Sequence, residues 1–227
     1  MRRRRAGLPV PLHVLVLLSL LIPAAVSAQD RNERELARIM EGIDQRWESL
    51  PGMTAQLTHT WEWVLAGETQ ITTGSIFLAD NNRFRIETED LMLVSDGRSV
   101  WQYSPSQKQV IIDRIDPLKP NASPEQLFSA FTRNARPEWV REEREGRSRF
   151  AVIRLHREEA ADPRTVEAWV DSERFLVVKL LYTDGAGNRH RYELDDIEVA
   201  EQSDERFKFD IPEGVVVVDL RRPGGGV

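Results

Sequence analysis

Residues Leu91 to Asp113 read LMLVSDGRSVWQYSPSQKQVIID. Two tight turns, Asp96-Gly97 and Ser104-Pro105-Ser106, divide this stretch into three short strands. Asp-Gly between apolar runs is a strong hairpin signal, because glycine accepts the positive φ that a primed turn requires. The strands carry Leu91, Leu93, Val100, Trp101, Tyr103, Val110 and Ile112 and no catalytic group. A hairpin-built sheet this rich in aromatic side chains, with no chemistry on it, suits a protein that holds something greasy.

Outward from this stretch the punctuation continues. Turn signals recur at Ala66-Gly67-Glu68, Asp80-Asn81-Asn82, Gly146, Asp171-Ser172 and Asp184 to Asn188, with alternating segments such as Leu57 to Trp63 and Phe84 to Glu87 between them. Regular short strands of this kind predict an antiparallel meander closing toward a barrel or sandwich. In Arg83 to Glu87 the charged residues occupy alternate positions, which predicts one solvent-facing side. Val166 to Val170 and Phe175 to Leu181 are largely apolar on both faces, so they are either covered twice or border a cavity on one side. Gln29–Leu50 is the long amphipathic helix: Leu36, Ile39, Met40, Ile43, Trp47 and Leu50 form one stripe, and Pro51-Gly52 ends it. A second, short helix is expected after Ser123, with Pro124 at its first position and Leu127, Phe128 and Phe131 on its apolar face.

Residues 1–28 read as an export signal, with basic Arg2 to Arg5, an apolar run Val14–Ile22, and the small-residue site Val26-Ser27-Ala28. The apolar run falls short of the ~20 residues of a membrane span; a retained anchor is the alternative. Removing this segment takes four arginines and no acid, moving the formal charge from −6 to −10. That acidity argues against nucleic acid as a partner. The remaining residues, 29–220, are enough for one domain with a substantial core, followed by a proline- and glycine-rich tail, 221–227, expected to be disordered. With no cysteine in the chain there is neither a disulfide nor an acylation site at a processed end.

Catalytic patterns are missing. His59, His156 and His190 lie far apart in sequence and belong to no HxH or HExxH pattern, so ordinary surface or half-buried histidines are expected and no metal. Asp195-Asp196 is an adjacent pair on a strand, whose side chains point to opposite faces. There is no nucleophile elbow and no phosphate-binding glycine loop. Six tryptophans remain to be explained, at positions 47, 61, 63, 101, 139 and 169. Any one of them is ordinary core. As a set they exceed what one sheet face needs, and an aromatic-lined concavity with few polar groups is what an acyl-chain site requires.

These segments resemble the periplasmic outer-membrane lipoprotein carrier proteins. The similar stretches are Gly74 to Leu78 with Arg83-Phe84-Arg85, Leu93 to Tyr103, Val166 to Asp171, Asp184 to Asn188, and Phe207 to Val215. The resemblance implies an unclosed antiparallel β-barrel, a half-barrel covered by lid helices at Glu33–Leu50 and Pro124–Phe131, enclosing a hydrophobic cavity. It implies a monomeric, non-enzymatic carrier without cofactors, which takes acylated lipoproteins from an inner-membrane ATP-driven exporter and delivers them to an outer-membrane receptor. The expected acyl-chain residues are Trp61, Trp63, Phe84, Val100, Trp101, Leu127, Phe128 and Phe131; Phe84 matches a family phenylalanine implicated in the passage. Many family members carry a basic residue and proline where this chain has Asp80-Asn81. A lipid- or lipoprotein-sensing module is the nearest alternative, and an exported hydrolase a more distant one.

Overall fold

The computed structural model describes residues 28–115, 135–157 and 162–221. A helix, α1 (Ala28–Glu48), opens them. Six strands follow: β1 (Gly52–Trp63), β2 (Glu68–Ala79), β3 (Arg83–Thr88), β4 (Met92–Asp96), β5 (Ser99–Ser104) and β6 (Gln109–Arg114). After the undescribed connection come β7 (Arg136–Glu145), β8 (Ser148–His156), β9 (Thr165–Asp171), β10 (Val177–Thr183), β11 (Arg189–Glu198), a 3-10 helix at Asp204–Phe207, and β12 (Val216–Asp219). The short helix expected at Pro124–Phe131, the export signal and most of the C-terminal tail lie outside the described residues.

All twelve strands form one sheet in the order β12-β6-β5-β4-β3-β2-β1-β11-β10-β9-β8-β7. The first six strands run as a meander. The next five form a second meander that returns from the far edge, so that β11 pairs antiparallel with β1. Among the described residues β7 and β12 end the sheet and do not pair with each other, so the sheet is not closed. β12 is the exception to the antiparallel expectation, running parallel to β6 with Val216 opposite Gln109.

The deciding stretch folds as read. Gly97 adopts φ +89° between β4 and β5, and the Asp96 Oδ1 accepts the Arg98 and Ser99 N–H groups at 2.8 Å. The Asp-Gly signal works here because the carboxylate closes the turn that glycine permits. The β2–β3 turn uses Asn81 (φ 57°) and Asn82 (φ 59°), asparagines tolerating the left-handed region.

The sheet carries cover on both faces. On one side lies α1, whose predicted stripe is the face that is buried. Ile39 and Ile43 are fully buried among Ala151, Ile153 and Leu155 of β8 and Val166, Ala168 and Val170 of β9. Trp47, one turn on, reaches toward a second cluster of Met53, Ala55, Ile76, Leu78, Phe84 and Leu176. On the other face the segment after β11 lies across the first meander. Phe207 is 2 % exposed, with the Arg83 guanidinium over its ring, and the Arg85 guanidinium donates to the Arg206 carbonyl at 3.2 Å. The side of β3 expected to face solvent is therefore covered, because the arginine stems are apolar enough to pack on the strap while their heads reach its carbonyls.

β9 and β10 resolve their two-sided apolar patterns differently. β9 is covered twice: Val166, Ala168 and Val170 lie under α1, while Trp169 on the reverse face donates to Glu143 at 2.7 Å and packs under Lys179. β10 instead turns Leu180 and Tyr182 toward a cavity.

Candidate functional site

β1 is in register with β2 along all twelve of its residues, so Met53, Ala55, Leu57, His59, Trp61 and Trp63 share one face. Across the ladder, Leu57 opposes Leu194, His59 opposes Tyr192, and Trp61 opposes His190. Tyr192 in turn opposes Leu180, and His190 opposes Tyr182. On the other flank, Leu78 opposes Phe84 and Ile76 opposes Ile86. This is the face that α1 covers.

Beneath the C-terminal end of α1 this face leaves a cavity of about 170 Å³. Trp47 of α1 borders it, with Leu57, Ile76, Leu78, Ile86, Leu180 and Leu194 among the sheet residues and Lys179 the one charged residue of its wall among the described residues. Leu176, Val177 and Val178, at the start of β10, close one side. A β-bulge makes room for them, Val177 facing Val170 and Lys179 facing Trp169 with one residue extra between. A larger open groove on the reverse face is bordered by Glu62, Arg164, Glu167, Arg189 and Arg191, charges of both signs around Leu181.

From the cavity an aromatic ladder runs along β1, β10 and β11 toward the β1–β2 hairpin. Tyr192 stacks on His59 at 4.1 Å and Tyr182 on His190 at 4.8 Å. Trp61 follows beside His190 at 6.3 Å, and Trp63 beside Trp61 at 6.0 Å. Beyond them Trp63 is 44 %, Val64 57 % and Leu65 85 % exposed at the hairpin end. Within the ladder His59 Nε2 and His190 Nδ1 are 3.2 Å apart, and His190 Nε2 is 3.2 Å from Asp184 Oδ2. Burial, and then the neighbouring His190, hold the His59 pKa below its ordinary value. Burial acts to raise the Asp184 pKa, but hydrogen bonds from Asn188, His190 and the Ala186 N–H outweigh it and bring the carboxyl to about 2. Burial pushes both tyrosine hydroxyls up. The ladder thus ends in one carboxylate, Asp184, at its polar end. Among the described residues no group of histidines and carboxylates is arranged to hold a metal ion.

The expected acyl-chain residues are dispersed relative to this cavity. Trp61 and Trp63 lie on its face, farther along the ladder. Phe84 is 1 % exposed inside the second core cluster; it edges a small crevice with Trp47 and Leu50 and is separated from the cavity by Leu78 and Ile86. Val100 packs against the same cluster. Trp101 is on the opposite face, stacked on Phe209 at 6.3 Å, because neighbours on a strand point opposite ways and Val100 takes the helix side. Leu127, Phe128 and Phe131 lie outside the described residues. Sequence reading missed Trp47, Leu57, Leu180, Tyr182, Tyr192 and Leu194. The signal was there in the alternation of β1 and the two-sided apolar run of β10, but pairing β1 with β11 required topology. It also missed the meeting of His59 with His190, 131 positions apart.

Comparison with known proteins agrees with this architecture. An outer-membrane lipoprotein carrier protein of Vibrio vulnificus (strain YJ016) is 28 % identical over 196 residues, 82 % of this chain and 92 % of the relative. Another, from Chromohalobacter salexigens, is 25 % identical over 214 residues, 91 % of this chain and 94 % of the relative. Among solved structures, an uncharacterized conserved protein of Thermus thermophilus superposes with a TM-score of 0.56 at 11 % identity, over 81 % of this chain and 98 % of that one. The crystal structure of MucB gives 0.51 at 14 % identity, over 82 % of this chain and 66 % of that one. These two likenesses concern the fold alone. Residues 54–210, from the first residues of β1 through the strap that covers the reverse face, match the family model described as outer membrane lipoprotein carrier protein LolA, and the chain belongs to that family.

Proposed function

We propose that this protein is a non-enzymatic periplasmic carrier that shelters the acyl chains of lipoproteins between α1 and the sheet and ferries them from the inner to the outer membrane. In this reading α1 is a lid, the open sheet is the half-barrel beneath it, and the export signal ending at Ala28 delivers the chain to the periplasm. An inner-membrane ATP-driven exporter supplies the cargo and an outer-membrane receptor accepts it. The observation that carries the proposal is the cavity wall. Trp47, Leu57, Leu180 and Leu194 meet around a space with a single charged neighbour among the described residues, and aromatic rings continue along the ladder to Trp63. Affinity for an acyl chain needs nothing more directional, since each buried methylene contributes about 0.8 kcal/mol.

At about 170 Å³ the cavity is smaller than the ~300 Å³ at which ligand pockets begin. A full acyl chain needs more room than this arrangement offers, and in this reading loading moves α1 off the sheet. The test is displacement of an environment-sensitive acyl probe by a triacylated lipopeptide. The mature protein should bind the probe and release it to lipopeptide. Leu57→Glu should weaken binding at least ten-fold, because an unpaired carboxylate in an apolar space carries a large desolvation cost. A mature protein that takes up no probe contradicts the proposal.

A further inference from the structure

We infer that the tip of the β1–β2 hairpin, Trp63-Val64-Leu65, is a membrane-contact point that enters the surface of a zwitterionic lipid bilayer. The inference goes beyond the carrier reading, and its test needs no acyl ligand.

The tip stands clear of the sheet on the β3 side. β1 and β2 pair up to the turn, with Trp63 opposite Glu68, whereas β3 joins β2 only from Gly74 onward. Residues 68–73 of β2 therefore run past β3, and among the described residues no strand pairs with their outer edge. At the end of this projection come three consecutive apolar side chains, and Leu65 is 85 % exposed. Turns are ordinarily made of small polar residues and glycine, so this turn spends exposed apolar surface that its geometry does not require.

Two features match the tip to lipid. The Ala66 and Gly67 N–H groups both donate to the Trp63 carbonyl, at 3.2 and 2.9 Å, so these donors can leave water without losing their partner. Trp63 lies beside Trp61 at 6.0 Å, which sets indoles behind the aliphatic pair, and indoles settle at the boundary between hydrocarbon and headgroups. The aromatic ladder from the cavity also ends here, so contact sets that row of rings toward the bilayer.

Charge selects the kind of surface. Residues 62–73 hold Glu62 and Glu68 and no lysine or arginine. Glu62 faces Arg189 at 3.6 Å, and the neighbouring β10–β11 turn adds the carboxylate of Asp184. The hairpin therefore has no base of its own to draw it to anionic headgroups. Size argues against a protein partner. Three side chains offer a few hundred Å², well under the ~800 Å² that each side of a stable protein interface buries. A bilayer takes side chains singly and needs no matching surface.

Flotation with phosphatidylcholine vesicles tests this on the mature protein. Wild type should float with the vesicles. Leu65→Asp, at a position too exposed for the change to disturb the fold, should lose at least about ten-fold in partitioning. Because the chain has no cysteine, an environment-sensitive dye attached through Ala66→Cys reports the tip alone, and its emission should shift to the blue on adding vesicles. The same dye on Arg147→Cys, in the β7–β8 turn at the opposite end of the sheet, should not shift. No flotation of wild type overturns the inference. So do undiminished flotation of Leu65→Asp, a blue shift at both positions, or binding confined to vesicles that contain phosphatidylglycerol. A concentration-dependent dimer that Leu65→Asp abolishes, with no vesicle binding, overturns it in favour of a second copy of the chain.

Discussion

Phe84 and Leu57 separate two meanings of an apolar residue in this protein. Phe84 is buried with Met53, Ala55, Ile76, Leu78 and Leu176 and borders a small crevice beside Trp47 rather than the apolar cavity. Phe84→Ala should lower unfolding free energy by about 3–5 kcal/mol in a urea titration, with acyl-probe affinity per folded molecule little changed. Leu57 borders open space, so polar substitution there should be felt in binding first. Asp184 gives a prediction in pH. Its carboxyl titrates near 2 in the folded chain against an ordinary value of 3.8. Between these values the unfolded chain binds more protons, so the stabilisation is complete above pH 4 and is lost as pH falls toward 2. Asp184→Asn should lose less stability than wild type between pH 5 and pH 2.5; equal losses would mean that the Asn188 and His190 contacts contribute nothing to folding. The tryptophans stand out in the sequence as a set, yet the faces they take are not legible there. Val100 and Trp101 cannot line one surface, and only the register assigns which of them takes the helix side.

At the scale of elements, α1 and the deciding hairpins are readable because their signals are local. The 3.6-residue stripe names Ile39 and Ile43, and the Asp96-Gly97 turn needs nothing beyond its own residues. What is not readable depends on chain segments far apart: the pairing of β1 with β11, the parallel β12, and the strap over β3. The β2–β3 turn bears on the lid. Asp80 pairs with Arg83, which also pairs with Asp204 on the 3-10 helix. In the same crevice Asp80 lies near Glu48, at the end of α1. A carboxylate there gives the helix nothing to hold, whereas Asp80→Arg would face Glu48 and keep its neighbour Arg83 tied to Asp204. Exposed pairs are worth about 0–1 kcal/mol, so the expected effect is a few-fold lower probe affinity from a more firmly closed lid. Unchanged affinity would leave Asp80 as a turn residue only.

The whole molecule is an open sheet with a strap on one face and a helix on the other, and among the described residues the apolar cavity lies on the helix side. Class and family were legible in the sequence because the turns, the strand spacing and the terminal Phe207 to Val215 segment are arranged in order along the chain. The cavity was legible only as a composition, since its walls come from α1, from both meanders and from the bulge in β10. The proposed carriage has α1 leave the sheet, and one contact marks where the two would part. A Cβ built on Gly42 would lie 2.2 Å from the Phe175 ring, and 2.6 Å from its Cγ. Phe175 holds a left-handed backbone, φ 54°, a conformation that its packing against α1 and Arg38 sustains.

The Cβ atoms of positions 42 and 175 therefore lie within about 4 Å of each other, inside disulfide reach, in a chain that has no cysteine of its own. Lipopeptide binding by the Gly42→Cys, Phe175→Cys double variant, measured reduced and oxidised, tests the account most directly. The reduced protein should bind and the oxidised protein, with α1 fastened to the sheet, should not. Undiminished binding after complete oxidation would contradict a ligand held between α1 and the sheet.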